Sequence, residues 1–162
     1  MKKNSSENIE LRNLRHKHLN KQVCVEGLIT QTSDVRPEAV SAKFECPDCG
    51  NIITIKQTGT RFREPKCPCG RKEDFKLIDK ELVDIKRIVL EEIRKIPKWD
   101  YQRKISVFLR QPLTDPEMED QTRPGRKVKV TGTLETIQIP HSQGGLSRRF
   151  DIVINADHLE QI

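Results

Sequence analysis

Residues 44–70 read FECPDCGNIITIKQTGTRFREPKCPCG and contain four of the chain's five cysteines in two close pairs. Cys46 and Cys49 stand in C-P-D-C-G, and Cys67 and Cys69 stand in C-P-C-G. A close cysteine pair followed by glycine forms a tight turn that favours thiolates, and two such knuckles supply the four ligands of a closed tetrahedral zinc site. The pairs therefore predict a structural Zn²⁺ ion in a zinc ribbon over residues 44–72, and the alternating segment between the knuckles predicts a short hairpin.

The second knuckle is C-x-C, one residue shorter than the usual form, so its turn must be tighter. Two other interpretations stay open: four reduced cysteines without metal, and a redox C-x-x-C motif, for which the flanking sequence lacks the βαβ context. Four sulfurs would fill the coordination sphere, which argues against zinc catalysis. The fifth cysteine, Cys24, lies in a strand-like run and is predicted to be a small buried hydrophobic residue.

The sequence on both sides of the ribbon predicts short strands. Residues 21–45 alternate apolar and polar positions, with Gly27 as a bulge or bend, and strand patterns return at 103–113, 127–139 and 148–159. Residues 75–96 fit either a helix or a strand, and periodicity does not decide between them. Five or six strands separated by turns predict an all-β protein built as a small barrel with the ribbon inserted between its early strands.

The charge of the chain indicates a polyanionic partner. The net charge is +6 and the pI is about 9.1. Residues 123–150 carry six basic residues against one acid, Glu135, whereas residues 111–122 carry four acids and no base. Residues 137–154 predict a long β-hairpin that could place Arg148 and Arg149 along a nucleic-acid backbone, and a solvated hairpin without a ligand is the alternative. No run of about 18 apolar residues or signal peptide is present, so we expect a cytoplasmic protein.

Several phrases together resemble the N-terminal region of the minichromosome maintenance (MCM) family, nearest its archaeal form. They are LRHKHLNKQVCVEGLITQTSDVRP (14–37), FECPDCG (44–50), CPCGRKEDFKL (67–77), ISVFLRQPLTD (105–115) and PGRKVKVTGTLE (124–135). The resemblance extends from Ile9 to Ile162. It implies a five-stranded OB-fold barrel with an inserted zinc ribbon and a protruding β-hairpin, in a family that forms hexameric rings around DNA.

Site residues follow from the same resemblance, position by position. The four paired cysteines match the zinc ligands, and residues 137–154 match a hairpin that points into the ring channel, which makes Arg148 and Arg149 channel cations. Arg36 matches a basic position of the single-strand contact surface at the end of the first strand. The turn P-G-R-K departs from the family's P-G-D and adds charge instead, so Arg126 and Lys127, followed by Lys129, are further DNA-binding candidates. Residues 91–103 match a loop that signals between DNA collar and motor.

The sequence also departs from the family. It contains no G-x-x-x-x-G-K-[ST] motif of the ATPase motor, and we expect no counterpart of the helical subdomain that precedes the barrel in relatives. Gln31 replaces a usually basic residue, and the signalling loop carries Trp99 and Tyr101 where relatives are rich in proline and glycine. We expect a lead-in at 1–20 followed by an OB-fold domain at 21–162.

The resulting functional hypothesis is a non-catalytic, DNA-binding and oligomerising module of DNA replication, associated with the nucleoid. Its expected partners are single-stranded and also double-stranded DNA, further copies of itself in a hexamer or double hexamer, and a full-length MCM protein, with no membrane. Two alternatives stay open: a motor-less regulatory subunit, and a zinc-ribbon protein that binds RNA in translation or transcription. No nucleophile and base pattern or open metal site supports an enzyme.

Overall fold

The structure of the chain is a computed structural model that describes residues 7–57, 62–93, 96–140 and 143–162. Parts of three predicted elements lie outside these residues: 58–61 of the ribbon, 94–95 of the signalling loop and 141–142 of the hairpin. The described residues contain no α-helix. Their 3-10 helices are too short to cross a membrane. Four short 3-10 helices occur at Leu11–Asn13, His16–His18, Pro116–Met118 and Asp120–Thr122.

Eight strands occur in the described part of the chain. Their bounds are β1 Glu7–Asn8, β2 Gln22–Thr32, β3 Arg36–Glu45, β4 Ile52–Lys56, β5 Lys76–Glu91, β6 Lys104–Arg110, β7 Lys127–Pro140 and β8 Leu146–Gln161. The chain divides into two compact units. The barrel unit consists of Met1–Val35 with Ile85–Ile162, and the ribbon unit is Arg36–Asp84, which contains the predicted ribbon segment 44–72.

The barrel unit closes through five strands. Their order is β2–β7–β8–β6–β5, and β5 pairs again with β2. The first part of β2 pairs with β7 and its last part with β5, so one strand joins both edges of the sheet. Full closure leaves no open edge, and the prediction of an all-β OB-like barrel is confirmed.

Gly27 lies where β2 passes from one partner strand to the other. A Cβ atom at this position would lie 2.9 Å from the Leu90 Cβ atom. Glycine is therefore needed because the two strands approach closely, which is a common reason for glycine within a strand. The register irregularity of β2 occurs between Ile29 and Gln31 instead of at Gly27, where the sequence had predicted a bulge or bend.

One hydrophobic core fills the barrel. Alternate residues of each strand face inward, as the period of a strand requires. The buried members include Val23, Val25, Ile29, Ile88, Leu90, Val107, Leu109, Val128, Val130, Leu134 and Ile154. Leu11 and Leu14 of the lead-in join the same core, and β1 pairs with β2 in parallel, so the described part of the lead-in is built into the barrel unit.

The segment that fitted both a helix and a strand forms β5. Its residues 85–91 pair with β6, and residues 88–91 also pair with β2. Ile88 and Leu90 are buried and the residue between them, Val89, is only half-buried, which is the alternation of a strand. Pairing on two sides therefore decided the conformation, because it satisfies the backbone of a segment whose local pattern was ambiguous.

The ribbon unit contains β3, β4 and the first part of β5, in the order β4–β3–β5. The predicted hairpin between the knuckles is wrong, because β4 pairs with β3, from Ser41↔Lys56 to Glu45↔Ile52. The described residues 62–66 form no strand. Pro65 lies in this segment and cannot donate a ladder hydrogen bond, whereas β3 offers a complete partner strand.

The β7 and β8 strands form the long hairpin of the barrel unit. They pair from Val128↔Gln161 to Pro140↔Leu146. Gly144 and Gly145 lie near its tip with φ of 95° and 72°, a conformation that glycine adopts without strain. The hairpin thus extends beyond the strands that close the barrel, with Arg148 and Arg149 on its returning arm.

Candidate metal centre and nucleic-acid interface

The two cysteine pairs meet in the ribbon unit. Their four Sγ atoms all lie within 4.8 Å of one another, with 3.6 Å between Cys46 and Cys69 and 3.4 Å between Cys49 and Cys67. A disulfide would require about 2.05 Å between sulfurs. A tetrahedral zinc site with Zn–S bonds of about 2.3 Å places sulfurs about 3.8 Å apart. The cluster therefore has the ligand type, number and spacing of a structural zinc site.

The two knuckles are closed by equivalent backbone hydrogen bonds despite their different lengths. Cys46 O accepts from Gly50 N at 2.8 Å, and Cys46 N donates to Asn51 O at 2.9 Å. In the shorter knuckle, Cys67 O accepts from Gly70 N and Cys67 N donates to Arg71 O, both at 3.0 Å. The C-x-C knuckle thus forms the same closed turn with one residue fewer, and the glycine at its end has a φ of 105°.

Backbone dipoles in the first knuckle favour a thiolate. Burial alone would raise the pKa of Cys46, but the backbone N–H groups of Cys49 and Asp48 lower the pKa of this thiol to about 7. The backbone N–H of Asn51 also lowers the pKa of the Cys49 thiol. The hydrogen bond between Cys49 and Cys67, burial and the other thiols outweigh it and raise the pKa of Cys49 to about 12. A divalent cation would replace the thiol protons and bind the sulfurs as thiolates.

Arg71 is a structural residue that the sequence analysis missed. Its guanidinium forms an ion pair with Asp48 of the first knuckle at 3.1 Å and donates to Glu73 O at 2.8 Å. It follows the second knuckle directly, so one side chain connects the two turns that carry the ligands. Its position immediately after C-P-C-G was the only local signal. Cys24, in contrast, is buried in the barrel unit and accepts a hydrogen bond from Thr131, so its predicted role is confirmed.

The predicted DNA-binding cations of the barrel unit lie at two ends of β7. Arg126, Lys127 and Lys129 lie at its beginning, and Arg148 and Arg149 lie on the paired strand near its other end. Because β7 has 14 residues and a strand rises about 3.3 Å per residue, its ends are on the order of 40 Å apart. The structure therefore does not bring these five residues into one cluster.

Two residues of the first group lie beside carboxylates. Arg126 forms an ion pair with Asp120 at 3.1 Å. Lys129 lies opposite Glu26 on one neighbouring strand and Glu160 on the other, so carboxylates flank it on the same face of the sheet. Arg148 and Arg149 are exposed near the hairpin tip. The hairpin is the stronger candidate for contact with a polyanion.

Arg36 belongs to a different compact unit of the chain from both groups. The sequence analysis placed it at the end of the first long strand, but that strand, β2, ends at Thr32. Arg36 is the first residue of β3 and belongs to the ribbon unit. The placement was wrong because the turn at residues 33–35 comes earlier than the Arg36-Pro37 break suggested, and Pro37 is tolerated at the start of a strand.

A second site missed by the sequence analysis connects the lead-in to the loop after β5. Arg12 donates to both Glu92 carboxylate oxygens, at 2.9 and 2.8 Å, and to Asp100 at 3.1 Å. Glu92 is buried, which disfavours its charged form, but the hydrogen bonds from Arg12 and from Arg103 N lower the pKa of Glu92. No local pattern could have revealed this contact, because Arg12 and Glu92 are 80 residues apart in sequence.

The chain resembles known proteins over most of its length. A family model described as the MCM OB domain matches residues 10–138. The chain belongs to the MCM family. The match covers the lead-in from residue 10, both cysteine pairs and β2 to most of β7 of this MCM-family chain.

Individual relatives agree with this assignment. The MCM-family chain is 31% identical over 134 residues to the DNA replication licensing factor MCM6 of Oryza sativa subsp. indica, covering 78% of the chain and 16% of that protein. It is 26% identical over 167 residues to the minichromosome maintenance protein MCM of Saccharolobus solfataricus, covering 94% of the chain and 23% of that protein. The chain thus spans less than a quarter of these curated relatives.

A solved structure supports the fold. The crystal structure of the N-terminal domain of an archaeal MCM superposes with a TM-score of 0.74 at 23% identity, covering 96% of the chain and 61% of that structure. The matched region is the OB domain and not an ATPase motor.

Proposed function

We propose that this MCM-family chain is a DNA-binding and oligomerising module that acts in DNA replication and performs no chemistry of its own. The observation that carries the proposal is the hairpin between β7 and β8. These are the fourth and fifth strands of the five-stranded barrel, and in OB folds the loops after the first and fourth strands bind oligonucleotides together with the second and third strands. Arg148 and Arg149 lie at the start of β8, directly after this loop.

Binding by these residues would be mainly electrostatic. Arginines that follow a hairpin can contact successive phosphates without reading base edges. We therefore expect weak sequence selectivity and a strong dependence on salt. Arg36, Arg126, Lys127 and Lys129 are secondary contacts in this proposal. Arg36 belongs to the ribbon unit, Arg126 forms an ion pair with Asp120, Lys129 lies between two glutamates, and Lys127 lies at the same end of β7 as these two residues.

The ribbon unit would hold one structural Zn²⁺ ion through Cys46, Cys49, Cys67 and Cys69. Four sulfur ligands leave no open position, so the ion would supply folding energy to the unit and no reactive water. In this proposal the zinc-loaded unit serves contacts between protein molecules, either in a hexamer or double hexamer or with a full-length MCM protein. The chain would then act at the nucleoid, on single-stranded and also on double-stranded DNA.

The experiment that tests DNA binding is a fluorescence anisotropy titration of labelled single-stranded DNA with the zinc-loaded chain over a salt series. If the chain neutralises about five phosphates, raising salt from 50 to 200 mM lowers its affinity by roughly a hundredfold. Arg148→Ala with Arg149→Ala should weaken binding and flatten the salt dependence by about one power of salt per lost contact.

The matched control is Lys127→Ala with Lys129→Ala, which removes the same charge from the other end of β7. Its effect should be clearly smaller than that of the hairpin variant. Equal effects would mean that net charge alone governs binding, and absence of binding at low salt would reject the proposed function. RNA bound more tightly than DNA of the same sequence would redirect it to the RNA-binding alternative.

A further inference from the structure

The loop between β5 and β6 presents two exposed aromatic residues. Trp99 is 85% exposed and Tyr101 is 67% exposed. They are the chain's single tryptophan and single tyrosine. Aromatic side chains ordinarily bury large apolar surfaces, and in a chain with so few of them two exposed rings in one loop indicate a surface made for contact.

Contacts within the loop fix the residues between and beside the rings. Asp100 lies between them, and its carboxylate accepts from Arg12 at 3.1 Å and from Tyr101 N at 2.8 Å. Asp100 N donates to Pro97 O at 3.1 Å, and Glu92 N donates to Arg103 O at the base of the loop. Because the Asp100 carboxylate is held by the lead-in, the aromatic residues on either side of it are presented to solvent.

Basic residues adjoin the rings in sequence, and one of them contacts a ring. The Arg103 guanidinium lies 3.9 Å from the centroid of the Tyr101 ring, within the range of a cation–π contact. Lys98 and Lys104 are exposed on the two sides of the pair. The one acid among them, Asp100, is engaged by Arg12 and lies 3.7 Å from Arg103. Rings flanked by cations suit an anionic ligand with flat apolar groups.

The strand register places this loop at the hairpin end of the barrel unit. β6 and β8 are parallel, with Ser106 paired to Val153. Two residues earlier on each strand, the start of β6 at Lys104 corresponds to Asp151 of β8. The loop that leads into β6 therefore opens at the same end as the arm that carries Arg148, Arg149 and the exposed Phe150.

We propose that Trp99 and Tyr101 form a base-stacking surface for single-stranded nucleic acid, beside the hairpin cations that hold its phosphates. The inference rests on the proposed function, which supplies the phosphate contacts, and it assigns a second, non-ionic contribution. Unpaired bases offer a free face for stacking on aromatic side chains, whereas the bases of a duplex are already stacked. The surface therefore selects single strands without reading their sequence.

The single tryptophan makes the test direct, because its fluorescence reports on this loop alone. The zinc-loaded chain is titrated with an oligo(dT) single strand, and tryptophan emission is followed beside anisotropy of the labelled strand. Saturable quenching with the same midpoint as the anisotropy change is expected. Binding seen by anisotropy without any change in tryptophan emission would overturn the stacking surface.

Variants separate stacking from phosphate contact. Trp99→Ala should weaken single-strand binding about tenfold, the size of one base stack, and leave the salt slope unchanged, because no cation is removed. Trp99→Phe should restore most of the affinity, and Tyr101→Ala should give a smaller loss. Ile52→Ala, which truncates a 60% exposed side chain of the ribbon unit, is the control and should have no effect.

The outcomes distinguish this inference from the proposed function. If the hairpin variant weakens binding and flattens the salt slope while Trp99→Ala binds normally, the proposed function stands and the stacking surface is rejected. If the wild-type chain does not bind at low salt, both are rejected. An equal loss for duplex DNA overturns the inference, as does a Trp99→Ala variant that changes only the sedimentation of the chain, which would make the loop a protein contact.

Discussion

The barrel unit and the ribbon unit are both built from strands, but they are stabilised by different means. Among the described residues, seventeen buried side chains form the barrel core, whereas the ribbon core has five, two of which are the cysteines Cys46 and Cys67. A closed barrel satisfies its own backbone and buries enough apolar surface to be stable. A unit with so small a core needs another source of folding energy, and four clustered thiols provide it only when they bind a metal.

The largest expected effect is loss of the metal site. Cys46→Ser, or removal of zinc by a chelator, should abolish the order of the ribbon unit and leave the barrel unit folded. Zinc content and amide hydrogen exchange, followed residue by residue, measure the two parts of this expectation. Cys24→Ala is the matched control, since it removes a buried cysteine from the barrel and should retain one zinc per chain. A Cys46→Ser protein that still holds stoichiometric zinc would contradict the ligand assignment.

The second prediction concerns the stability of the barrel core. Ile88 is fully buried, so Ile88→Ala should lower the free energy of unfolding by about 2–5 kcal/mol through lost burial and a residual cavity. Chemical denaturation measures this loss. Ile52→Ala truncates an exposed residue of the ribbon unit and should change stability by less than about 0.5 kcal/mol. Similar values for both variants would mean that the barrel core is not the main source of stability.

The third prediction concerns the ion network between lead-in and loop. Glu92→Gln removes the charge that meets Arg12 and should cost about 1.5–3 kcal/mol, the range for hydrogen bonds to charged groups. The pKa values of Glu92 and Asp100 are lowered in the folded protein. Their stabilisation is therefore complete above the unfolded pKa values of about 4 and is lost as pH falls through the folded ones.

Thermal unfolding between neutral pH and pH 3 tests this sign. The wild-type chain should lose stability on acidification, and Glu92→Gln should lose less, because only Asp100 of the pair still titrates. A variant with the same pH dependence as the wild type would show that Glu92 does not contribute through its charge.

The smallest predicted effect concerns an ion pair of the ribbon unit. Arg71→Ala breaks a partly exposed ion pair with Asp48, and such pairs contribute only about 0–1 kcal/mol. We expect one zinc per chain to remain, with a modest increase in the rate at which a chelator removes it. Arg71→Lys keeps the charge but not the forked contacts and should be intermediate. Complete loss of zinc in Arg71→Ala would show that this side chain, more than the knuckle turns, holds the ligands in place.

The sequence predicted best those features whose signal is local. Sequence spacing predicted the cluster of Cys46, Cys49, Cys67 and Cys69. The alternation of apolar and polar residues predicted β6 and the two arms of the long hairpin. Phrases around Gly27 and in P-G-R-K, taken together with the cysteines, were enough to indicate the family. The family resemblance also indicated the OB-like barrel, which composition alone could describe only as a small barrel.

Prediction failed where distant segments had to be paired. The β4 strand was given a hairpin partner nearby in sequence, but it pairs with β3. The Arg12 network connects residues 80 and 88 positions apart, and neither its arginine nor its carboxylates belong to a recognisable motif. Charged residues are frequent throughout this chain, so only their positions in the fold separate a buried ion pair from solvated charges.

By itself the sequence determined the cysteine cluster, the strand-rich character and the family of this protein, because each depends on residue identity at short spacing. Tertiary structure alone decided that residues 76–91 form a strand, that the basic residues of the barrel unit lie at two ends of β7, and that the loop with Trp99 and Tyr101 lies at the hairpin end of the barrel unit. These properties depend on strand register and barrel closure. Both are set by the packing of the whole core, which no short stretch of sequence contains.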